Sequence, residues 1–198
     1  MNLALFDFDG TITTRGTYLD FIRFAVSRRR QVIGSAALSP CMAAYRLGLV
    51  RERSLRPLVA RVAFGGTPAT TLRERGERFA NIAIPPLVRD EAKRRIDWHK
   101  QQGDTIVVVS ASLDVYLESW CRTHSLALIC TQLEVRNGRA TGRYVDGDCT
   151  GAEKKRRVLQ RYEPERYDLV YAYGDTAEDD EMLSLAHRKF FRWQEVNP

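Results

Sequence analysis

Two aspartates one residue apart, Asp7 and Asp9, stand directly after the apolar run Leu3-Ala4-Leu5-Phe6 and open the stretch Asp7-Phe8-Asp9-Gly10-Thr11-Ile12-Thr13. An apolar run of that length reads as a buried strand, and Gly10 with its threonines reads as the turn that ends it. Alternate strand residues share a face, so both carboxylates can point together beyond the strand end. Two carboxylates on one side repel unless a cation or a proton separates them. The stretch therefore suggests a metal-assisted phosphoryl-transfer site. Alone it fits an ordinary turn as well, because turns favour Asp and Gly for their own reasons.

Three more segments combine chemistry-bearing residues with strand ends or helix starts. Val107-Val108-Val109-Ser110-Ala111-Ser112 places hydroxyls and backbone amides where a helix N-terminus can bind an anion, or where Ser110 or Ser112 merely caps the helix. In Cys149-Thr150-Gly151-Ala152-Glu153-Lys154-Lys155, a lysine in a helix's first turn can offset phosphoryl charge; an exposed basic face is the plainer alternative. Tyr173-Gly174-Asp175-Thr176-Ala177-Glu178-Asp179 sets two acids four residues apart, suited to a hard cation or to the dipole of the helix that follows.

The elements that must position these groups follow from periodicity and punctuation. Residues 16–84 show helical spacing (Tyr18, Leu19, Ile22, Ala25, Val26; then Leu47, Leu49, Leu55, Leu58, Val59, Val62) and read as a helical insertion. Pro85-Pro86 closes it and starts a helix through Lys100 that ends at Gly103. Strands are expected at 105–109, 126–130, 169–173 and near 189–191. Helices are expected at 113–124, capped by Ser112, and at 152–162 and 177–186. Asn137-Gly138 joins a hairpin of 132–135 and 139–145. This alternation predicts an α/β protein: a Rossmann-like, doubly wound parallel sheet with helices on both faces and a small β-hairpin. Ligands of such sheets bind at the carboxyl ends of the strands.

Composition narrows the setting. The chain has 198 residues, 44% hydrophobic and 28% charged, enough for one domain with a substantial insertion. Its net charge of +6 favours anionic partners without choosing among them. Cys41, Cys121, Cys130 and Cys149 lack the close pairing of a zinc site and read as reduced thiols. Asp7 and Asp9 interrupt any secretory signal, so a cytoplasmic protein is expected. Residues 31–45 are uncharged but fall short of the ~20 apolar residues of a spanning helix. His99, His124 and His187 lie far apart and carry no expected role; Asp146-Gly147-Asp148 reads as a turn, and Asp114 with Glu118 as a helix face.

Taken in order, the four segments resemble the haloacid dehalogenase-like superfamily of phosphatases, in the branch that includes phosphoserine phosphatases. Cys-x-Gly-x-x-Lys and Gly-Asp-x-x-x-Asp-x-x-Met-Leu are the details that point there. The resemblance implies a core domain of residues 1–14 and 85–198 and an all-helical cap of residues 15–84. It implies that Asp7 attacks phosphorus and becomes an aspartyl phosphate, with Asp9 as general acid and then base. Ser110, Ala111 and Lys154 would hold the phosphoryl oxygens. Mg²⁺ would be bound by Asp7, the Asp9 carbonyl and Asp175, with Asp179 or water completing the site. Spacing from Cys149 favours Lys154 over Lys155.

The implied substrate is a phosphorylated small molecule. Phosphoserine is disfavoured, because Arg15 interrupts the segment where selective relatives place an acid, although Asp20 follows. Arg28-Arg29-Arg30 beside an apolar stretch reaching Val50 offers a second reading, a lipid phosphatase of the phosphatidylglycerophosphate type working on a phospholipid headgroup at the inner face of a membrane. The stretch equally fits the buried helix pair of a cap. A basic binding module on an inactive fold of this kind is the non-enzymatic alternative. No recognised nucleic-acid motif supports it, and no nucleic acid is expected as a partner.

Overall fold

Leu3–Phe6 forms β1 with all four residues buried, as a central strand covered on both faces requires. The computed structural model describes residues 1–48 and 52–196; Leu49 and Val50, counted above in the apolar pattern of the insertion, lie outside the described residues. After β1 come four helices, α1 (Tyr18–Ala25), α2 (Arg28–Arg46), α3 (Glu52–Phe64) and α4 (Ala69–Ile82). They are followed by α5 (Asp90–Gln101), β2 (Thr105–Leu113), α6 (Asp114–Thr123), β3 (Ala127–Thr131), β4 (Leu133–Arg136) and β5 (Arg139–Tyr144). The chain closes with α7 (Ala152–Arg161), β6 (Val170–Gly174), α8 (Asp180–Leu183), β7 (Arg188–Phe191) and β8 (Gln194–Val196).

The main sheet runs β3-β2-β1-β6-β7-β8, parallel except for β8. Side-chain alternation on β1 divides the interior. Ala4 and Phe6 face a cluster that includes Phe8, Phe21, Phe79, Tyr116 and Tyr173, whereas Leu3 and Leu5 face Val107, Ile129, Val158 and Met182. Tyr173 is stacked between Phe6 and Phe190, with centroids 4.2 and 4.8 Å away. Its hydroxyl meets His99 Nε2 at 2.9 Å, and His99 Nδ1 meets Asp104 at 2.8 Å. This network gives the buried His99 a structural place; burial lowers its pKa, with Asp104 opposing.

Several boundaries differ from the sequence reading. Residues 85–87 make only a 3₁₀ turn, and α5 starts at Asp90 rather than at Pro85. The reason is that 87–89 is drawn out against the loop after β1: Thr14 N–H donates to Leu87, Arg89 N–H donates to Ile12, and Thr13 bridges Val88. The exit from the sheet and the return to it are thereby stapled together. Ser112 is not a helix cap, because β2 continues to Leu113. The helix expected at 177–186 is a 3₁₀ turn followed by the short α8. Strand β8 was not anticipated; its three exposed residues lack an apolar signal. Asn137 and Gly138 both have positive φ, as the two-residue hairpin turn requires.

The inserted helices are fastened to the sheet layer at close quarters. Helix α4 crosses α6 at Gly76, where a Cβ would lie 1.8 Å from the Val115 carbonyl oxygen. The Ala140 N–H donates to the Thr67 carbonyl and the Ala140 carbonyl accepts from the Gly66 N–H, docking the α3–α4 loop on the β4–β5 hairpin. Substituting Gly76→Ala should force these backbones apart and cost about 1–3 kcal/mol of stability. Urea denaturation would show this as a lower midpoint; an unchanged midpoint would mean that the α4–α6 crossing contributes little.

Candidate active site

Strand β1 delivers Asp7 to the carboxyl edge of the sheet, where its N–H donates to the Tyr173 carbonyl at 2.9 Å. The carboxylate is buried, and its Oδ1 accepts from Lys154 Nζ at 2.5 Å. Lys154 enters from the first turn of α7, whose Gly151 holds φ at +55° and whose start is tied to the Glu178 carbonyl. The same ammonium donates to Asp179 Oδ1 at 2.6 Å. Lys155 points elsewhere, to Glu181 and Ser184 on the surface. Burial works against the Lys154 charge, but Asp7 and Asp179 outweigh it and its pKa is raised. The Asp7 pKa is raised as well, first by burial and then by Asp179, with Lys154 opposing.

Asp179 organises the loop after β6. Its Oδ2 accepts from the backbone N–H of Asp175 and of Thr176, each at 3.1 Å, and from the Thr176 hydroxyl at 3.3 Å. This capping box turns Asp175 toward the loop after β1, where Thr11 Oγ1 donates to Asp175 Oδ1 at 3.1 Å. Gly10 makes that approach possible: at φ +90° it lies so close that a Cβ would sit 2.3 Å from Asp175 Oδ2. Burial raises the Asp175 pKa, with Thr11 opposing.

Asp9 reaches the site from a tight helical loop rather than by strand alternation, since residues 8–12 have left the strand. Its Oδ1 accepts from the Thr17 N–H at 2.5 Å and the Thr17 hydroxyl at 2.6 Å, and its Oδ2 accepts from the Ser112 hydroxyl. Ser112 is placed by a bulge: Ser110 pairs with Cys130 and Leu113 with Thr131, so Ala111 and Ser112 are extra residues on β2. Ser110 is fully buried, and its hydroxyl accepts from the Ser112 N–H at 3.0 Å. Contacts thus join Asp7, Lys154, Asp179 and Asp175 in one network and Asp9, Ser112 and Ser110 in a second, the two meeting through the chain between Asp7 and Asp9.

Two participants escaped the sequence reading. Arg56, from α3, donates to the Ala111 carbonyl at 2.7 Å and lies 4.5 Å over the Tyr18 ring. Its Nε is 3.4 Å from Asp148 Oδ2, yet neither atom makes a hydrogen bond among the described residues. Asp148, read above as part of a turn, is instead a nearly buried counter-charge that also accepts from Thr131 at 2.8 Å. Nothing local in the sequence separates Arg56 from the other arginines of the insertion. Asp20, by contrast, is occupied at the surface by Arg15 and Arg23.

A mostly parallel α/β sheet with acids, a lysine and hydroxyls gathered at its carboxyl edge has its polar groups where such sheets bind ligands. The family model for haloacid dehalogenase-like hydrolases matches residues 4–184, and the chain belongs to that family. It is 30% identical over 192 residues to the protein CicA of Caulobacter vibrioides, covering 96% of this chain and 85% of that one. A Mycobacterium tuberculosis protein named as a probable phosphatase is 30% identical over 190 residues, covering 91% of this chain and 64% of its own length. Among solved structures, a phospho-aspartyl intermediate analogue of phosphoserine phosphatase superposes with a TM-score of 0.65 at 20% identity, over 96% of this chain and 85% of that one. That likeness speaks for the fold.

The acidic cluster suits a hard cation. One carboxylate oxygen from each of Asp7, Asp175 and Asp179 lies within 4.8 Å of the others, and all the donors are oxygens. Asp7 Oδ2 and Asp175 Oδ2 accept no hydrogen bond among the described residues, whereas both Asp179 oxygens are engaged.

Replacing Lys154 by Met should leave Asp7 and Asp179 buried without a counter-charge. The expected cost in metal-free buffer is about 3–5 kcal/mol at pH 8. Asp7 binds its proton more tightly folded than unfolded, so the stability linked to it is full below pH 3.8 and is lost as pH rises through the raised folded value. Without Lys154 that folded value climbs further, so the deficit should shrink on acidification toward pH 5. Urea denaturation at both pH values checks this; an equal deficit at both would contradict the pairing.

Proposed function

We propose that this hydrolase is a Mg²⁺-dependent phosphatase of phosphate monoesters that works through an aspartyl phosphate on Asp7. The observation that supports the reading is that Lys154 meets Asp7 and Ser112 meets Asp9, each across more than 100 residues of sequence, at the loop that follows β1. The Asp7 carboxylate attacks phosphorus; the new bond to Asp7 forms as the bond to the alcohol oxygen breaks. Asp9 gives that oxygen its proton. Asp9 then takes a proton from water, whose oxygen attacks phosphorus and releases phosphate and the free Asp7 carboxylate.

Lys154 and the Ser110–Ala111 bulge hold the phosphoryl oxygens in this scheme, while Thr17 and Ser112 orient Asp9. Asp7 and Asp175 would hold Mg²⁺, which supplies positive charge against the transferring phosphoryl group. Asp179 supports the site by gripping Lys154 and the loop of Asp175. Residues 15–84 act as the cap and residues 1–14 and 85–198 as the core, with Arg56 the cap's contribution to the pocket. Asp20, the acid of the segment where phosphoserine-selective relatives bind the ammonium, is already paired with Arg15 and Arg23. A monoester other than phosphoserine is therefore the substrate class favoured here.

Hydrolysis of p-nitrophenyl phosphate should require Mg²⁺ and stop on addition of EDTA. Asp7→Asn should remove it, and turnover surviving that change would sink the nucleophile assignment. Asp9→Asn should slow turnover by about 10²–10⁴-fold. Phosphorylated protein should then accumulate, as measured by intact-mass spectrometry.

A further inference from the structure

Outside the hydrolytic pocket, a concavity of about 730 Å³ opens among α1, α2 and α3, walled by Ile22, Val26, Leu38, Met42, Val59 and Val62. None of the site residues borders it. Helix α2 leans on its neighbours along one side only. Gly34 lies against Val62, and Arg30 is fastened to the Val62 carbonyl at 2.9 Å, to Thr67 at 3.1 Å and to the Gly65 carbonyl. The outer side is bare and apolar. Val32 and Ile33 are 65% and 60% exposed there, Leu19 and Leu47 are exposed at the border of the groove, and Phe24 stands out from α1.

Charge around this face is predominantly positive. Residues 31–45 are uncharged, α2 contains no acid, and its first turn carries Arg28, Arg29 and Arg30. Three cations there oppose the helix dipole. Arg28 and Arg29 are exposed and pair with no carboxylate among the described residues. The lining charges of the groove are Arg23 and Arg30, and Asp20 nearby is held by Arg15 and Arg23. A second copy docking face to face would set these arginines against their own kind. A negatively charged lipid surface matches both the exposed apolar side chains and the cations beside them.

We propose that the α1–α2 face docks on the surface of an anionic bilayer. Val32, Ile33 and the apolar rim enter the boundary between headgroups and acyl chains, and Arg28 and Arg29 meet lipid phosphates. Docking of this kind lies in the interface plane: among the described residues no helix is long and apolar enough to cross a membrane. It does not depend on the hydrolytic reading.

Vesicle flotation of the full chain tests it, with phosphatidylcholine alone and with added phosphatidylglycerol. Phosphatidylglycerol is a phosphodiester, so capture by a monoester pocket is not measured. Binding should require the anionic lipid and weaken in high salt. Arg28→Ser with Arg29→Ser should weaken partitioning about fivefold per arginine. Val32→Asp with Ile33→Asp should reduce it by roughly tenfold or more. Both variants should keep wild-type helical content by circular dichroism and an unchanged rate on p-nitrophenyl phosphate, which shows that they remain folded. Failure of the full chain to float with anionic vesicles would overturn the proposal. So would binding that survives Val32→Asp with Ile33→Asp, or a dimer in light scattering that this double variant dissociates. Absence of phosphatase activity in a protein that still floats would count against the hydrolytic reading alone.

Discussion

A single buried ammonium holds the site together. Lys154 bridges Asp7 at the end of β1 and Asp179 after β6, and no other cation stands between those two carboxylates among the described residues. Two acids brought this close without a counter-charge would repel or take up protons. Burying any of the three alone is costly, so each is tolerable only because the others are present. The strands, the loop glycines and the start of α7 can all be understood as the means of bringing these groups to one place.

The sheet makes that meeting a matter of register. β1 lies between β2 and β6, so their carboxyl ends bring the Ser110–Ser112 bulge and the Asp175 loop to either side of Asp7. Stacking of Tyr173 between Phe6 and Phe190 locks three neighbouring strands just beneath this edge. Around Asp7 the backbone departs from regular geometry where side chains are aimed: Gly10 and Gly151 at positive φ, two extra residues in β2, and a capping box in place of a full helical turn. The rigid layer supplies position and the irregular loops supply direction.

What the sequence made legible follows from how local each signal is. The run Leu3–Phe6 and the β-branched stretch at Thr105–Val109 declare buried strands by themselves, and Asn137-Gly138 declares its turn through backbone conformation. The parallel sheet was readable from the order of elements. Lys154 could be preferred to Lys155 by spacing, and the two do occupy opposite environments, one buried and one at the surface. The end of β2 was not readable, because a bulge looks like a strand end followed by a cap. Nor was Arg56, whose partners Ala111 and Asp148 lie 55 and 92 positions away and exist only once α3 is docked. The extended segment at 87–89 was masked by Pro85-Pro86, which ordinarily opens a helix but here precedes a stretch paired with residues 12–14.

That pairing has an architectural consequence. Chain leaving the sheet at Thr13 and chain arriving at Val88 run side by side, so the ends of the intervening segment are held together by the core itself. Loop-closure entropy grows only slowly with length once the ends are fixed. The fold therefore presents a socket: helical inserts of quite different size could be exchanged at this junction while β1, β2 and the groups they carry stayed in place.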